Sequence, residues 1–185
     1  CLMIIAVTVI GKDRPGIISA LTDAIYKVGG NLEDASMTIL EGEFAMIFLA
    51  ALKNTKRYEK LLNQLEKMER ETGLLITTKE IKHSLKRGQK HGSGTSSWIV
   101  SVSGRDQAGI VYRISKLLAD EGLNITDLES KILGKGKKTA YALILEVDVP
   151  RRDIQLIPKL KNKFSKLEKE IGVTVAFNPV ESSHF

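Results

Sequence analysis

The chain has 185 residues, 43% hydrophobic and 27% charged, the balance of an ordinary globular protein, so collagen-like, disulfide-scaffold and disordered classes are excluded. A formal charge of +6 and a pI near 9.3 invite a nucleic-acid reading, but the Lys and Arg residues are spread through amphipathic segments beside Glu. The single cysteine excludes an internal disulfide and fits a reducing cytoplasm, and the longest apolar run, residues 2–10, is too short to cross a bilayer.

No secretory signal pattern opens the chain, and the absence of an initial Met leaves room for residues or a whole domain upstream. Residues 2–10 are the first predicted strand. It is apolar on both faces, because Met3, Ile5, Val7 and Val9 alternate with Leu2, Ile4 and Ala6. Gly11-Lys12-Asp13-Arg14-Pro15-Gly16-Ile17 then forms a strand-to-helix turn, with Pro15 suited to the first helical turn. Ile17, Ile18, Leu21, Ala24, Ile25 and Val28 give the stripe of a helix that Gly29-Gly30 stops.

Residues 31–40 and 43–52 are predicted strands joined by a tight hairpin at Glu41-Gly42. Phe44, Met46 and Phe48 share one face of the latter strand, Ala45, Ile47 and Leu49 the other. After a loop with a cap at residues 53–55, Tyr58, Leu61, Leu62, Leu65 and Met68 mark a second helix. Gly73 ends it, and residues 74–81 are the fourth strand. From residue 83 the composition turns to Ser, Lys, Gly, Gln and Thr, which predicts a linker over residues 84–97.

The order then repeats: strand 98–103, helix 108–121, strand 124–133, a hairpin at residues 134–136 and strand 139–149. Ile154, Ile157, Leu160, Phe164, Leu167 and Ile171 give the fourth helix; Pro158 inside that pattern predicts a short turn before it and the main helix after it. Strand 173–177 closes the copy, and residues 180–185 read as a tail. At an offset of 93 residues (Gly11 to Gly104), Val7, Val9, Gly11, Asp13, Gly16, Ile17, Gly29, Asn31, Asp34 and Ile39 all recur. The chain is therefore one module used twice, as domains 1–83 and 98–179. Each has the α+β, ferredoxin-like βαββαβ order: an antiparallel four-stranded sheet with both helices on one face. Helices cover only one side of such a sheet. The second apolar side of the central strands therefore predicts close association of the halves, dimerisation, or both.

The turn at residues 13–17 places backbone N–H groups at a helix N-terminus, where the dipole favours an anion. Gly16 and Gly109 let another backbone or a small ligand approach closely; alternatively Gly11 and Gly16 serve turn geometry alone and Asp13 is a helix N-cap. Asn31 and Asp34, echoed by Asn124 and Asp127, are expected near the same end of the sheet. A carboxylate held by the turn and an ammonium held by such acceptors is what a free α-amino acid needs.

The run G-K-D-R-P-G-I, then a helix, then G-G-N-L-E-D resembles the start of an ACT domain, a small ligand-sensing module. G-R-D-Q-A-G-I with E-G-L-N-I-T-D resembles a second, weaker one. Two such modules with little else resemble the glycine cleavage system transcriptional repressor group. The resemblance implies a regulatory, non-catalytic protein with a small amino acid as effector and no other cofactor, bound at interfaces between modules. It implies contacts from Asp13, Arg14, Pro15, Gly16, Ile17, Asn31 and Leu32, with Asp106, Gln107, Gly109, Ile110, Asn124 and Ile125 as counterparts. The two-sided apolar strands lead us to expect a homodimer, and with no helix-turn-helix visible any action on transcription is expected through a protein partner, without direct nucleic-acid or membrane binding. Arg14-Pro15 becomes Gln107-Ala108 in the second module, which favours the first turn as the site.

Catalysis is not expected: His83, His91 and His184 lie in the linker or tail, and no nucleophile–base set or metal-ligand spacing emerges. An RNA-recognition module shares this strand order and would need Phe44 and Phe48 on the open sheet face, stacking on bases. A third alternative is the sensor part of a larger metabolic enzyme.

Overall fold

The computed structural model describes residues 2–82, 90–134, 139–153 and 155–180. The chain divides into two compact units, residues 1–88 and 89–185. The first runs β1 (Met3–Lys12), α1 (Ile17–Lys27), β2 (Asn31–Leu40), β3 (Glu43–Leu52), α2 (Thr55–Thr72), β4 (Leu75–Ile81). The second runs β5 (Thr95–Arg105), α3 (Ile110–Asp120), β6 (Asn124–Leu133), β7 (Ala140–Pro150), α4 (Leu156–Ile171), β8 (Val173–Pro179). Each sheet is antiparallel, ordered β2-β3-β1-β4 and β6-β7-β5-β8, so the first and third strands of each module are central.

Period-two alternation sets the core. Ile5, Val7 and Val9 of β1 and Phe44, Met46, Phe48, Ala50 and Leu52 of β3 share the helix-covered face, packed with Ile17, Leu21, Ala24, Ile25, Leu61 and Leu65. The second core repeats this with Val100, Val102, Leu143, Leu145 and Val147 under Ile110, Ile114, Leu118, Leu160 and Phe164. Phe44 and Phe48 are therefore core residues, 2% and 1% exposed, and no stacking platform for bases exists on β3. Among the described residues no helix is long and apolar enough to cross a membrane.

Local signals act where the sequence places them, with a few shifts. Glu41 and Gly42 both have positive φ, 51° and 86°, as a two-residue hairpin turn requires. Asn54 caps α2, its side chain accepting from the Arg57 N–H at 3.1 Å. Pro15 lies outside α1, because the N-cap is Gly16. Ile18, expected in the stripe, is exposed. The fourth helix begins at Leu156, ahead of Pro158. Pro158 thus falls in the first turn, where N–H groups have no intrahelical partner, and it interrupts nothing.

β5 starts at Thr95 rather than residue 98, because residues 95–97 continue the ladder opposite residues 148–150 of β7. The rest of the expected linker splits: residues 90–94 are described, whereas residues 83–89 lie outside the described residues. So do residues 135–138 of the second hairpin, Ile154, and residues 181–185 of the tail.

Candidate functional site

β1 and the turn after it are fixed by close packing. A Cβ on Gly11 would sit 2.7 Å from Leu74 Cδ2, so glycine lets β1 pass Leu74, between α2 and β4, without displacing that side chain. The turn is then anchored by the Asp13 N–H, which donates to the Gly42 carbonyl at 2.9 Å. Gly16 enters α1 at φ +96°, a left-handed conformation that costs any L side chain about 1–2 kcal/mol. It is the N-cap, not Asp13, and it offers no side-chain acceptor to the first turn of the helix.

A Cβ on Gly16 would meet no heavy atom within 4 Å, so the space beside Gly16 is open among the described residues. The exposed Asp13 and Arg14 side chains have no hydrogen-bond or ion-pair partner among the described residues. Ile17 is 4% exposed and belongs to the core, so it can contribute to this site through its backbone alone.

The remaining candidates do not gather there. Asn31 pairs with Ala51, which pairs with Ile4, whereas the turn leaves β1 after Lys12. The expectation that both lie at one end of the sheet is overturned: β2 runs parallel to β1 because both are antiparallel to β3, and α1 carries the chain back before β2 begins. The two are about 25 Å apart along β1 at about 3.3 Å per residue. Leu32 packs partly buried against the core. Asn31 turns its amide to Glu33 Oε1 at 3.1 Å. Asp34 follows a break in the β2–β3 register and accepts the Ala35 N–H at 2.9 Å, and Asp127 does the same for Leu128. The repeated Asn-x-x-Asp is thus first of all a β-bulge signature.

The second turn has the same backbone, with Gly109 at φ +93° as N-cap and Asp106 exposed, but its side chains are committed. Gln107 Nε2 donates to the Ile171 carbonyl at 2.5 Å, tying the turn to the end of α4. A cavity of about 290 Å³ beside it is walled by Gln107, Gly109, Ile110, Arg113 and Glu170. Arg113 and Glu170 form an ion pair with each other, leaving that wall internally neutralised. Ile110 is a core residue, Ile125 is partly buried against the core, and Asn124 sits opposite Asp148 at the far end of the sheet.

Sequence reasoning missed one polar cluster. On the uncovered face of the second sheet, Asp148 is only 5% exposed. It accepts the Gly92 N–H at 2.7 Å and meets His91 Nδ1 at 2.8 Å. Burial alone would raise the Asp148 carboxyl; the Gly92 N–H and the His91 ring more than offset that and hold it below its ordinary value. Lys90 bridges Glu146 at 2.8 Å and Asp127 at 3.1 Å, and Ser97 donates to Glu146 at 2.6 Å. The hydrogen bond from Lys90, then that from Ser97, lowers the Glu146 carboxyl. The available signal was an aspartate between Val147 and Val149 in an apolar strand, which marks a buried, partnered carboxylate. His91 therefore belongs to the second module; His83 and His184 lie outside the described residues. Among the described residues no three His, Cys, Asp or Glu side chains form a metal cage.

Family models described as the ACT domain match residues 3–79 and residues 98–167. A UPF0237 protein of Methanopyrus kandleri is 39% identical over 69 residues, 37% of this chain and 77% of that protein. The glycine cleavage system transcriptional repressor of Escherichia coli is 24% identical over 179 residues, 97% of this chain and 91% of that one. A crystal structure of a Galdieria sulphuraria protein superposes with a TM-score of 0.76 at 27% identity, covering 97% of this chain and 99% of that one.

Proposed function

Because the chain belongs to the ACT domain family and carries two of its modules in tandem, we propose that it is a non-catalytic regulator that binds a small free amino acid at an interface between ACT modules. The observation that carries this reading is the first turn: a helix N-terminus with no side-chain cap, flanked by the side chains of Asp13 and Arg14, which have no partner among the described residues. An α-amino acid brings a carboxylate for the N–H groups and the guanidinium, and an ammonium for carboxylate and amide oxygens. Asn31 lies at the far end of the same sheet, so one ligand reaches a turn and an asparagine only when two modules contribute. A homodimer of the chain therefore belongs to the proposal. The full-length similarity to the Escherichia coli repressor extends it to transcriptional control of glycine metabolism in the cytoplasm, exerted through a protein partner.

Thermal-shift screening against the twenty amino acids tests this. A ligand a thousandfold above its dissociation constant stabilises by about 4 kcal/mol. Arg14→Ala is expected to abolish the shift and Gln107→Ala to leave it. A flat melting temperature for all twenty overturns the proposal.

A further inference from the structure

The two sheets differ on the side their helices leave open. Reading each row across the central strands of the first sheet, β3 then β1, the pairs are Ala51/Ile4, Leu49/Ala6, Ile47/Thr8, Ala45/Ile10 and Glu43/Lys12. Every row sets a large side chain beside a small one, or an acid beside a base. Ile10, Ile47 and Leu75 on this face are 49%, 50% and 57% exposed, too much contiguous apolar surface for an unpartnered sheet. We infer that this face docks against the same face of a second copy of the chain, related by a two-fold axis running along the strands; the inference rests on the homodimer proposed above, and because this axis keeps each turn at the opposite end from the other copy's Asn31, the turn-to-asparagine contact proposed there lies outside this face.

The register carries the argument. Such an axis reverses strand order without reversing strand direction, so β3 of one copy lies over β1 of the other. Ile4 then meets Ala51, Leu49 meets Ala6, Ile47 meets Thr8 and Ile10 meets Ala45, each large residue opposite a small one, as interdigitating sheets require. Glu43 meets Lys12. The same operation lays β2 over β4. The row Asp34–Leu49–Ala6–Lys79 carries opposite charges at its two ends, so Asp34 of each copy faces Lys79 of the other. An isologous interface needs this self-complementarity.

Four strands about 4.8 Å apart over about eight residues of about 3.3 Å give about 500 Å² per copy, or about 1,000 Å² in all, near the threshold for a specific interface. The second sheet fails the same operation, because it would press Glu146 onto Ile99 twice. It also holds Lys90, His91 and Gly92 against its own carboxylates.

Light scattering on the full chain across a concentration series tests the pairing, with circular dichroism confirming that each variant folds. The wild type is expected at no less than twice the 20.4 kDa chain mass. Ile47→Glu is expected to halve that mass, and Ile144→Glu, its counterpart on the second sheet, to leave it unchanged. Lys79→Glu, which would face Asp34 of the other copy, should weaken association by about tenfold. Leu75→Glu is the second probe should Ile47→Glu not fold. An assembly that survives both Ile47→Glu and Leu75→Glu, or that Ile144→Glu also breaks, overturns this surface and leaves the homodimer standing. A monomeric wild type overturns both.

Discussion

Where the first sheet presents Ile4, Ile10, Leu49, Ala51 and Leu75 to its uncovered side, the second presents Ser97, Ser103, Glu146, Asp148 and Thr174 at the matching positions. The helix-covered sides did not diverge in this way: Val7, Val9, Ile17 and Leu21 are matched by Val100, Val102, Ile110 and Ile114, all buried. The reason is that both copies must seal the same two helices against the same sheet, whereas nothing inside a module fixes what lies on its open side. The turns diverged by the same logic. Gly16 and Gly109 keep one backbone geometry, while Arg14 has no partner among the described residues and Gln107 is tied to α4.

Exchanging residues at one matched position should break this contrast most severely. Ala51 is 4% exposed beside Ile4, and the Asn31 amide across the strand is already bonded to Glu33, so Ala51→Asp should cost the first module about 2 kcal/mol, read by circular-dichroism melting. The reciprocal change, Asp148→Ala, strips the Gly92 N–H of its acceptor and His91 of one of its carboxylate contacts, and should cost the second module about 1–3 kcal/mol. Trp98 is the chain's only tryptophan and stacks on Phe177 at 4.6 Å, so its fluorescence in a urea titration reports the second module. Tolerance of both changes would mean that the two faces are interchangeable.

Acid sharpens the same comparison. Asp148 and Glu146 are both lowered in the folded state, so their contribution is complete above the unfolded carboxylate range and is lost as pH falls through the lowered values. Stability reported by Trp98 should therefore fall below about pH 4, and the fall should flatten in Asp148→Asn/Glu146→Gln. An unchanged pH profile in that variant would remove the cluster from the account.

The smallest effects concern the turns. Gly16→Ala and Gly109→Ala should destabilise alike, by about 1–2 kcal/mol, because both positions have φ near +95°. Gln107→Ala should cost about 0.5–1.5 kcal/mol through its lost bond to Ile171, whereas Arg14→Ala should stay within about 0.5 kcal/mol. Equal losses for Gln107→Ala and Arg14→Ala in urea unfolding would contradict the difference drawn between the two turns.

Periodicity, glycine placement and the recurring turn determined by themselves the duplication, the βαββαβ order, the central position of β1 and β3, and the resemblance to ACT domains. Those are properties of local backbone preference and of one-sided burial, and both are written in neighbouring residues. Tertiary structure alone decided that Asn31 stands at the opposite end of the sheet from Gly16, because strand direction depends on which strands pair. It alone decided that residues 90–92 fold onto Asp148 and Glu146, and that large and small side chains alternate across β1 and β3. The cross-strand pairs join residues more than thirty positions apart, and only the hydrogen-bond register of the folded sheet brings them side by side.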